Sequence, residues 1–273
     1  MKEIVINNIK IGKNSPLVLI AGPCVIEDEK TTFLIAEKLK KISIDKKIPL
    51  IFKSSYEKDN RSSVEYYRGP GINKGLEILN KIKIEFNLPI ISDVHRESDI
   101  DLASEVLDII QIPAYLSQQT SLLLKAGKSN KIINIKKGQF ISPENMKNSV
   151  NKVTSTGNDQ IILTERGTCF GYNHLISDIT CIPIMQNIGY PVIYDSTHIV
   201  RIYGVPSIDK KGGTPQFIEH LTLSGVAAGC NGIFIETHIE PQKALCDAAS
   251  MLKIDLLPKL LEKAISISKI IRG

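Results

Sequence analysis

Cys24, Lys53, Asp93 with His95, Gln111, Lys136, Glu165 with Arg166, Asp195 with His198, and Glu236 with His238 each stand at the end of a short apolar run. Ionisable groups immediately beyond apolar runs are the material of a polar site built on a dry scaffold. They divide by chemistry. Lys53, Lys136 and Arg166, joined by Lys58 and Arg61 from "YEKDNRSS" (56–63), form a cationic set. Such a set binds phosphate and carboxylate, arginine as a bidentate fork and lysine as a point charge. Asn60, Ser62 and Ser63 add neutral donors suited to a phosphate or sugar. The second set is Cys24, His198, Glu236 and Asp247. A thiolate, an imidazole and two carboxylates suit a borderline divalent metal such as zinc, iron(II) or manganese. Taken alone, "AGPCVIED" (21–28) leaves Cys24 open between buried filler and ligand.

These residues need elements to carry them to one place. The apolar runs lie at 17–23, 50–56, 89–94, 108–114, 132–138, 160–167, 191–198 and 232–238. Amphipathic stretches fall between them, for example at 31–43 and 75–86, and a last one at 256–271 closes the chain. Near-continuous apolar strands alternating with helices predict a parallel sheet covered on both faces. Eight such units in a chain of 273 residues predict an α/β fold, a (β/α)8 TIM barrel spanning 1–273 as one domain. The segment 1–14, with "EIVIN" and "NIKIG" around an Asn-rich turn, is expected to form an N-terminal β-hairpin. A doubly wound open sheet competes, but the first strand is not followed by a GxGxxG turn. In a barrel every strand ends at one mouth, where function resides, so strands far apart in sequence deliver both sets to a single site.

Composition narrows the class. The net charge of +5 comes from scattered lysines, and with no Trp and 5% aromatics a nucleic-acid groove is not expected. The five cysteines are odd in number and form no CxxC pair, which points to a reducing, cytoplasmic setting over a disulfide framework. No run reaches the length of a membrane span, and the first residues lack the apolar core of a signal peptide.

In their order, "AGPCVIE", "FKSSYEKDNRSS", "ISDVH", "IQIPAYLSQQTSLL", "NIKKGQF", "TERGTCFGYN", "YDSTH" and "IFIETH" resemble the 3-deoxy-D-manno-octulosonate 8-phosphate synthase family from about residue 15 onward. The resemblance implies a transferase that condenses phosphoenolpyruvate with D-arabinose 5-phosphate in making a lipopolysaccharide precursor. A sister family, 3-deoxy-D-arabino-heptulosonate 7-phosphate synthase, uses erythrose 4-phosphate and is the alternative. "KDNRSS" resembles the KANRSS of the first family, with Asp59 in place of Ala, against the Pro-Arg-Thr-Ser type of the second.

Carried over by position, the resemblance implies that Lys58, Gln111, Ala114, Lys136 and Arg166 hold phosphoenolpyruvate. Lys53, Asn60 and Asp93 would face the sugar. Arg61 and Ser62 would bind the sugar phosphate from a neighbouring subunit, which implies a homotetramer. Lys53, Asp93, His198 and Glu236 are the catalytic candidates. The family has a metal-dependent branch with Cys at the first strand end and a metal-independent one with Asn there. Cys24 resembles the former, making Cys24, His198, Glu236 and Asp247 the expected ligands. His174, Glu144-Asn145 and Cys246 depart from the family pattern, and Cys246 is expected to point away if Asp247 points in. Two readings from other classes compete: a Schiff-base aldolase using Lys136, and a basic barrel binding an acidic polymer. Residues 204–217, rich in Gly and Pro, are expected to form a lid over the mouth.

Overall fold

The computed structural model describes residues 1–206 and 209–273. β1 (Ile4–Ile6) and β2 (Ile9–Ile11) make an antiparallel hairpin around Asn7 and Asn8, and Asn7 takes the left-handed backbone that Asn tolerates at such a turn. β3 (Val18–Gly22), β4 (Leu50–Lys53), β5 (Ile90–Asp93), β6 (Ile109–Ile112), β7 (Ile132–Lys136) and β8 (Ile161–Glu165) then follow, each from β4 onward pairing in parallel with the one before. A short antiparallel pair, β9 (Thr168–Cys169) and β10 (Leu175–Ile176), fills the loop after β8. β11 (Val192–Asp195) pairs with β8, and β12 (Gly232–His238) with β11. The ring closes where β12 pairs with β3, from Gly232 opposite Val18 to Glu236 opposite Gly22. The predicted eight-stranded barrel with its hairpin is therefore the fold observed. β13 (Leu252–Lys253) extends the sheet beyond β12 outside the ring.

Helices cover the outside: α1 (Glu29–Lys46), α2 (Ile72–Phe86), α3 (Ile100–Val106), α4 (Thr120–Lys128), α5 (Met146–Thr154), α6 (Cys181–Gln186), the single turn α7 (Ser196–Ile199), α8 (Ile218–Ala227) and α9 (Leu257–Arg272). α1 begins two residues before the predicted 31–43, because the Asp28 carboxylate accepts from Thr31 N at 2.7 Å and caps it. Lys47, in the left-handed conformation, ends it.

The two-residue period of the strands sorts their side chains. Val18, Ile20, Ile51, Ile91, Ile109, Ile132, Ile162, Ile193 and Phe234 fill the barrel interior in one apolar cluster. Ile4, Ile6, Ile9 and Ile11 of the hairpin join that cluster and plug the end where the strands begin. Two residues further along each strand, on the same inward face, come Gly22, Lys53, Asp93, Gln111, Asn134, Thr164, Asp195 and Glu236. A polar layer thus lies directly on a floor made largely of isoleucine. Gly22 is forced by its neighbour, since a Cβ there would lie 1.8 Å from the Lys53 carbonyl oxygen.

Candidate active site

The polar layer opens into a cleft of about 180 Å³ whose walls include Lys58, Asn60, Arg61, Ser62, Arg166 and His198. A deeper recess adds Asp93, Ala114 and Lys136. The loop after β4 folds back over the mouth of its own barrel, so Asn60, Arg61 and Ser62 line the same cleft as Arg166.

Asp93 anchors one side. Its Oδ2 accepts from Ser55 Oγ at 2.6 Å and from Lys58 Nζ at 2.9 Å, and its Oδ1 accepts from Gln111 Nε2 at 2.5 Å. The amide order continues across the floor: Asn134 Nδ2 donates to Gln111 Oε1 at 2.8 Å, and Thr164 Oγ1 donates to Asn134 Oδ1 at 2.7 Å. One relay therefore crosses β5, β6, β7 and β8. It fixes Gln111 by both ends of its amide, so Gln111 lies under Asp93 and off the cleft wall. Burial opposes charge on Asp93, but Lys58, Lys53 and Lys136 override it and hold its pKa well below the carboxylate range. Lys58 answers in kind: burial lowers its pKa, while Asp93, Cys24 and Glu236 raise it well above the ordinary lysine value.

Lys53 is fully buried. Its ammonium donates to Glu236 Oε1 at 2.6 Å and to the Cys24 carbonyl at 2.8 Å. Lys136 Nζ donates to Asp195 Oδ2 at 2.7 Å and sits 3.9 Å from the Phe234 ring centroid. Asp195 also lies 2.7 Å from His198 Nδ1 and caps the α7 turn through His198 N. Burial is again overridden, by His198 and Lys136, and Asp195 stays ionised. Arg166 is 5% exposed, and its Nη1 has no hydrogen-bond partner among the described residues. A buried guanidinium N–H without a protein acceptor is what an anion site offers. Burial and the neighbouring Tyr203 push the Tyr115 phenol up to about 12, so it lines the cleft as a neutral donor.

The sulfur, imidazole and carboxylate set converges beside this cleft. Cys24 Sγ is 3.3 Å from Asp247 Oδ2, His198 Nε2 is 3.6 Å from Glu236 Oε1, and His198 Nε2 is 4.0 Å from Asp247 Oδ2. A tetrahedral zinc with bonds of ~2.0–2.3 Å sets its ligands roughly 3.3–3.8 Å apart. Asp247 belongs to two groups whose ligand atoms lie within 4.8 Å of one another, one with Cys24 and Cys246 and one with His198 and Glu236, so it is the residue that could join sulfur and imidazole on one ion. Cys246 joins them against expectation, its Sγ 2.8 Å from Cys24 Sγ. Consecutive side chains diverge in extended chain, but Asp247 has φ of 47°, and this left-handed turn brings both inward. Arg61 Nη1 donates to Cys246 Sγ at 2.9 Å. Burial, Cys246 and Glu236 raise the Cys24 pKa well above the ordinary thiol value, a bias a bound divalent cation reverses.

A profile of the DAHP synthetase I family matches residues 2–272. The chain belongs to the DAHP synthetase I family. Three similar proteins each carry the name 2-dehydro-3-deoxyphosphooctonate aldolase. That of Geobacter sulfurreducens is 49% identical over 271 residues, 99% of each chain. Those of Geotalea uraniireducens and Geotalea daltonii are 50% and 51% identical over 272 residues, the full length of both chains. This bears out the resemblance read from the motifs.

In this DAHP synthetase I family chain, Glu165 and His238 are among the strand-end residues that stay outside the cleft. Glu165 has the outward parity of β8. Its Oε1 accepts from Gly167 N at 2.6 Å and its Oε2 lies 3.6 Å from Lys137 Nζ, with both side chains fully buried. His238 turns to the loop after β3, with Nε2 3.7 Å from Glu27 Oε2. Glu144, Asn145 and His174, the departures noted above, are all exposed. Ser55, Asn134 and Thr164 belong to the site and were missed; strand parity above the isoleucine layer would have found Asn134 and Thr164. Of the expected lid, residues 207 and 208 lie outside the described residues. Its flanks are tied by an Arg201–Gly213 bridge and by Thr214 N donating to the Val200 carbonyl at 2.9 Å.

Proposed function

We propose that this chain condenses phosphoenolpyruvate with D-arabinose 5-phosphate and water, giving 3-deoxy-D-manno-octulosonate 8-phosphate and phosphate, a step towards lipopolysaccharide. The observation that carries the reading is one cleft with two cationic walls. Lys136 and Arg166 stand deep in it, and Asn60, Arg61 and Ser62 line its mouth. The full-length relatives named for this activity support it over the erythrose 4-phosphate alternative. A Schiff-base aldolase is disfavoured because Lys136 is engaged by Asp195 as an ion pair.

Lys136, Arg166 and the backbone at Ala114 hold the carboxylate and phosphate of phosphoenolpyruvate. The sugar lies above, its phosphate towards Arg61 and Ser62 and its aldehyde towards Lys58. Proximity then brings C3 of the enol against the aldehyde carbon. The new C–C bond forms as the aldehyde oxygen takes charge, and the Lys58 ammonium, fixed by Asp93, stabilises it. Water adds at C2, and the C–O bond to phosphate breaks. Asp93 and Glu236 are poor bases for that water, since each is held ionised by lysines. Asp93 is an orienting group, and the departing phosphate is the better-matched proton acceptor.

Cys24, His198, Glu236 and Asp247 are the residues that would hold a divalent metal. When bound, such an ion supplies Lewis-acid polarisation of a substrate oxygen and orientation of the sugar. His198 would then be a ligand and not a free base. We further infer a homotetramer in the cytoplasm. Exposed aromatic surface at Phe140, Phe170 and Tyr172 supports assembly, and the five unpaired cysteines suit a reducing compartment.

The test is phosphate release. Turnover of phosphoenolpyruvate that needs arabinose 5-phosphate supports the reading, and equal or better turnover with erythrose 4-phosphate overturns it.

A further inference from the structure

One arginine in the cleft has no part in the account above. Arg201 follows α7, and its side chain is 10% exposed. Its Nη1 donates to the Gly212 carbonyl at 2.7 Å and its Nη2 to the Val205 carbonyl at 3.5 Å. Its Nε lies 3.7 Å from Asp247 Oδ1, and Arg61 Nη1 approaches the same oxygen to 3.8 Å. Both guanidinium groups line the mouth of the cleft with Asn60 and Ser62, and Asp247 is the one carboxylate on that wall among the described residues.

Two guanidinium groups sharing one carboxylate leave a net positive charge, at the place where a ligand enters. The two backbone contacts orient the planar fork of Arg201 in advance, so little side-chain freedom remains to be lost on binding. A guanidinium carries five N–H groups, and the two backbone contacts use two of them. A phosphate dianion offers acceptors for the rest, and charge enough for both arginines once Asp247 is engaged elsewhere.

We propose that Arg201 is a second arginine of the sugar-phosphate subsite, gripping the terminal phosphate of the aldose beside Arg61. The inference deepens the transferase reading and rests on it. Arg201 thereby sets specificity for a phosphorylated over a free aldose.

The experiment measures Arg201→Gln and Arg201→Lys against wild type, with arabinose 5-phosphate and free arabinose as alternative substrates, and with KM for phosphoenolpyruvate determined separately. A charge-assisted hydrogen bond to phosphate is worth roughly ten- to hundredfold in binding. Arg201→Gln is expected to raise KM for arabinose 5-phosphate by that factor and to reduce the preference for it over arabinose equally. KM for phosphoenolpyruvate should move far less, and Arg201→Lys should recover part of the loss. Equal loss with the phosphorylated and free sugars overturns the proposal, because a merely structural arginine acts on both. An unchanged KM for arabinose 5-phosphate also overturns it. If wild type turns over neither sugar, the transferase reading has failed, and calorimetric titration with inorganic phosphate decides the subsite. Weaker phosphate binding by Arg201→Gln than by wild type supports the proposal, and equal binding overturns it.

Discussion

Lys53 and Glu236 meet at 2.6 Å across an intervening strand, each side chain 1% exposed. β3 lies between their strands, and its residue at that level is Gly22, opposite Glu236 in the register. With no side chain at Gly22, the two charges close over β3 and stitch three strands at the mouth. The glycine, the lysine and the glutamate are thus one arrangement.

Breaking this pair leaves a buried charge. Glu236→Ala is expected to lower unfolding free energy by ~3–5 kcal/mol, the cost of stranding one ion of a buried pair. The paired replacement Lys53→Met with Glu236→Leu should recover most of that stability while turnover stays lost. Chemical denaturation midpoints check this. A double variant no more stable than Glu236→Ala would show that the site does not tolerate apolar filling.

The relay under Asp93 gives a second prediction. Asn134→Ala leaves Gln111 Oε1 without its donor and Thr164 Oγ1 without its acceptor, in a layer with no exposure. The expected cost is ~1–3 kcal/mol of stability. Because Gln111 then holds Asp93 less firmly, kcat should fall more than KM for phosphoenolpyruvate rises. Steady-state kinetics separate the two, and a change confined to KM would mean the relay serves binding only.

Most of this was legible because strands obey a period of two. Isoleucine at 51, 91, 109, 162 and 193 marks the inward face, and the polar residue two places on must enter the mouth. The same rule excludes Glu165, one residue out of step. What the sequence hid is non-local. The fold of the loop after β4 decides that Arg61 lines the cleft of its own chain. The left-handed Asp247 decides that Cys246 points inward, and no glycine marks that turn in the sequence. Arg201 escaped because it lies beyond the last strand residue, on a segment whose course is set by contacts to Val205 and Gly212.

Acid should unfold the protein in two stages. Burial lowers the His95 pKa below its ordinary value, and neither ring nitrogen has a hydrogen-bond partner among the described residues. The unfolded chain binds that proton more readily, so stability falls as pH drops below about 6.5. Asp93 is depressed in the native state, so its contribution is complete above the unfolded value of about 3.9 and is lost only as pH falls below it. Denaturation at a series of pH values should show a shallow limb beginning near neutrality, removed in His95→Asn, and a steeper acid limb weakened in Asp93→Asn. A single limb untouched by His95→Asn would mean that His95 titrates as an exposed histidine does.

The two sulfurs allow the metal reading to be tested residue by residue. Cys24 lies within 3.3 Å of Asp247, whereas Cys246 is also held by Arg61. If the ion sits among Cys24, His198, Glu236 and Asp247, Cys24→Ser should weaken zinc binding at least roughly tenfold, as even outer-shell losses do. Cys246→Ser should cost less, since Arg61 can donate to the hydroxyl as it does to the sulfur. With cobalt(II) as the probe, the sulfur-to-metal charge-transfer band should vanish in Cys24→Ser and persist in Cys246→Ser. Chelation should abolish wild-type turnover, and added divalent metal should restore it. A band lost in Cys246→Ser and kept in Cys24→Ser would move the thiolate ligand to Cys246. Full activity after chelation, with Cys24→Ser unimpaired, would make Cys24 a buried thiol of the wall and leave the aldehyde to Lys58 alone.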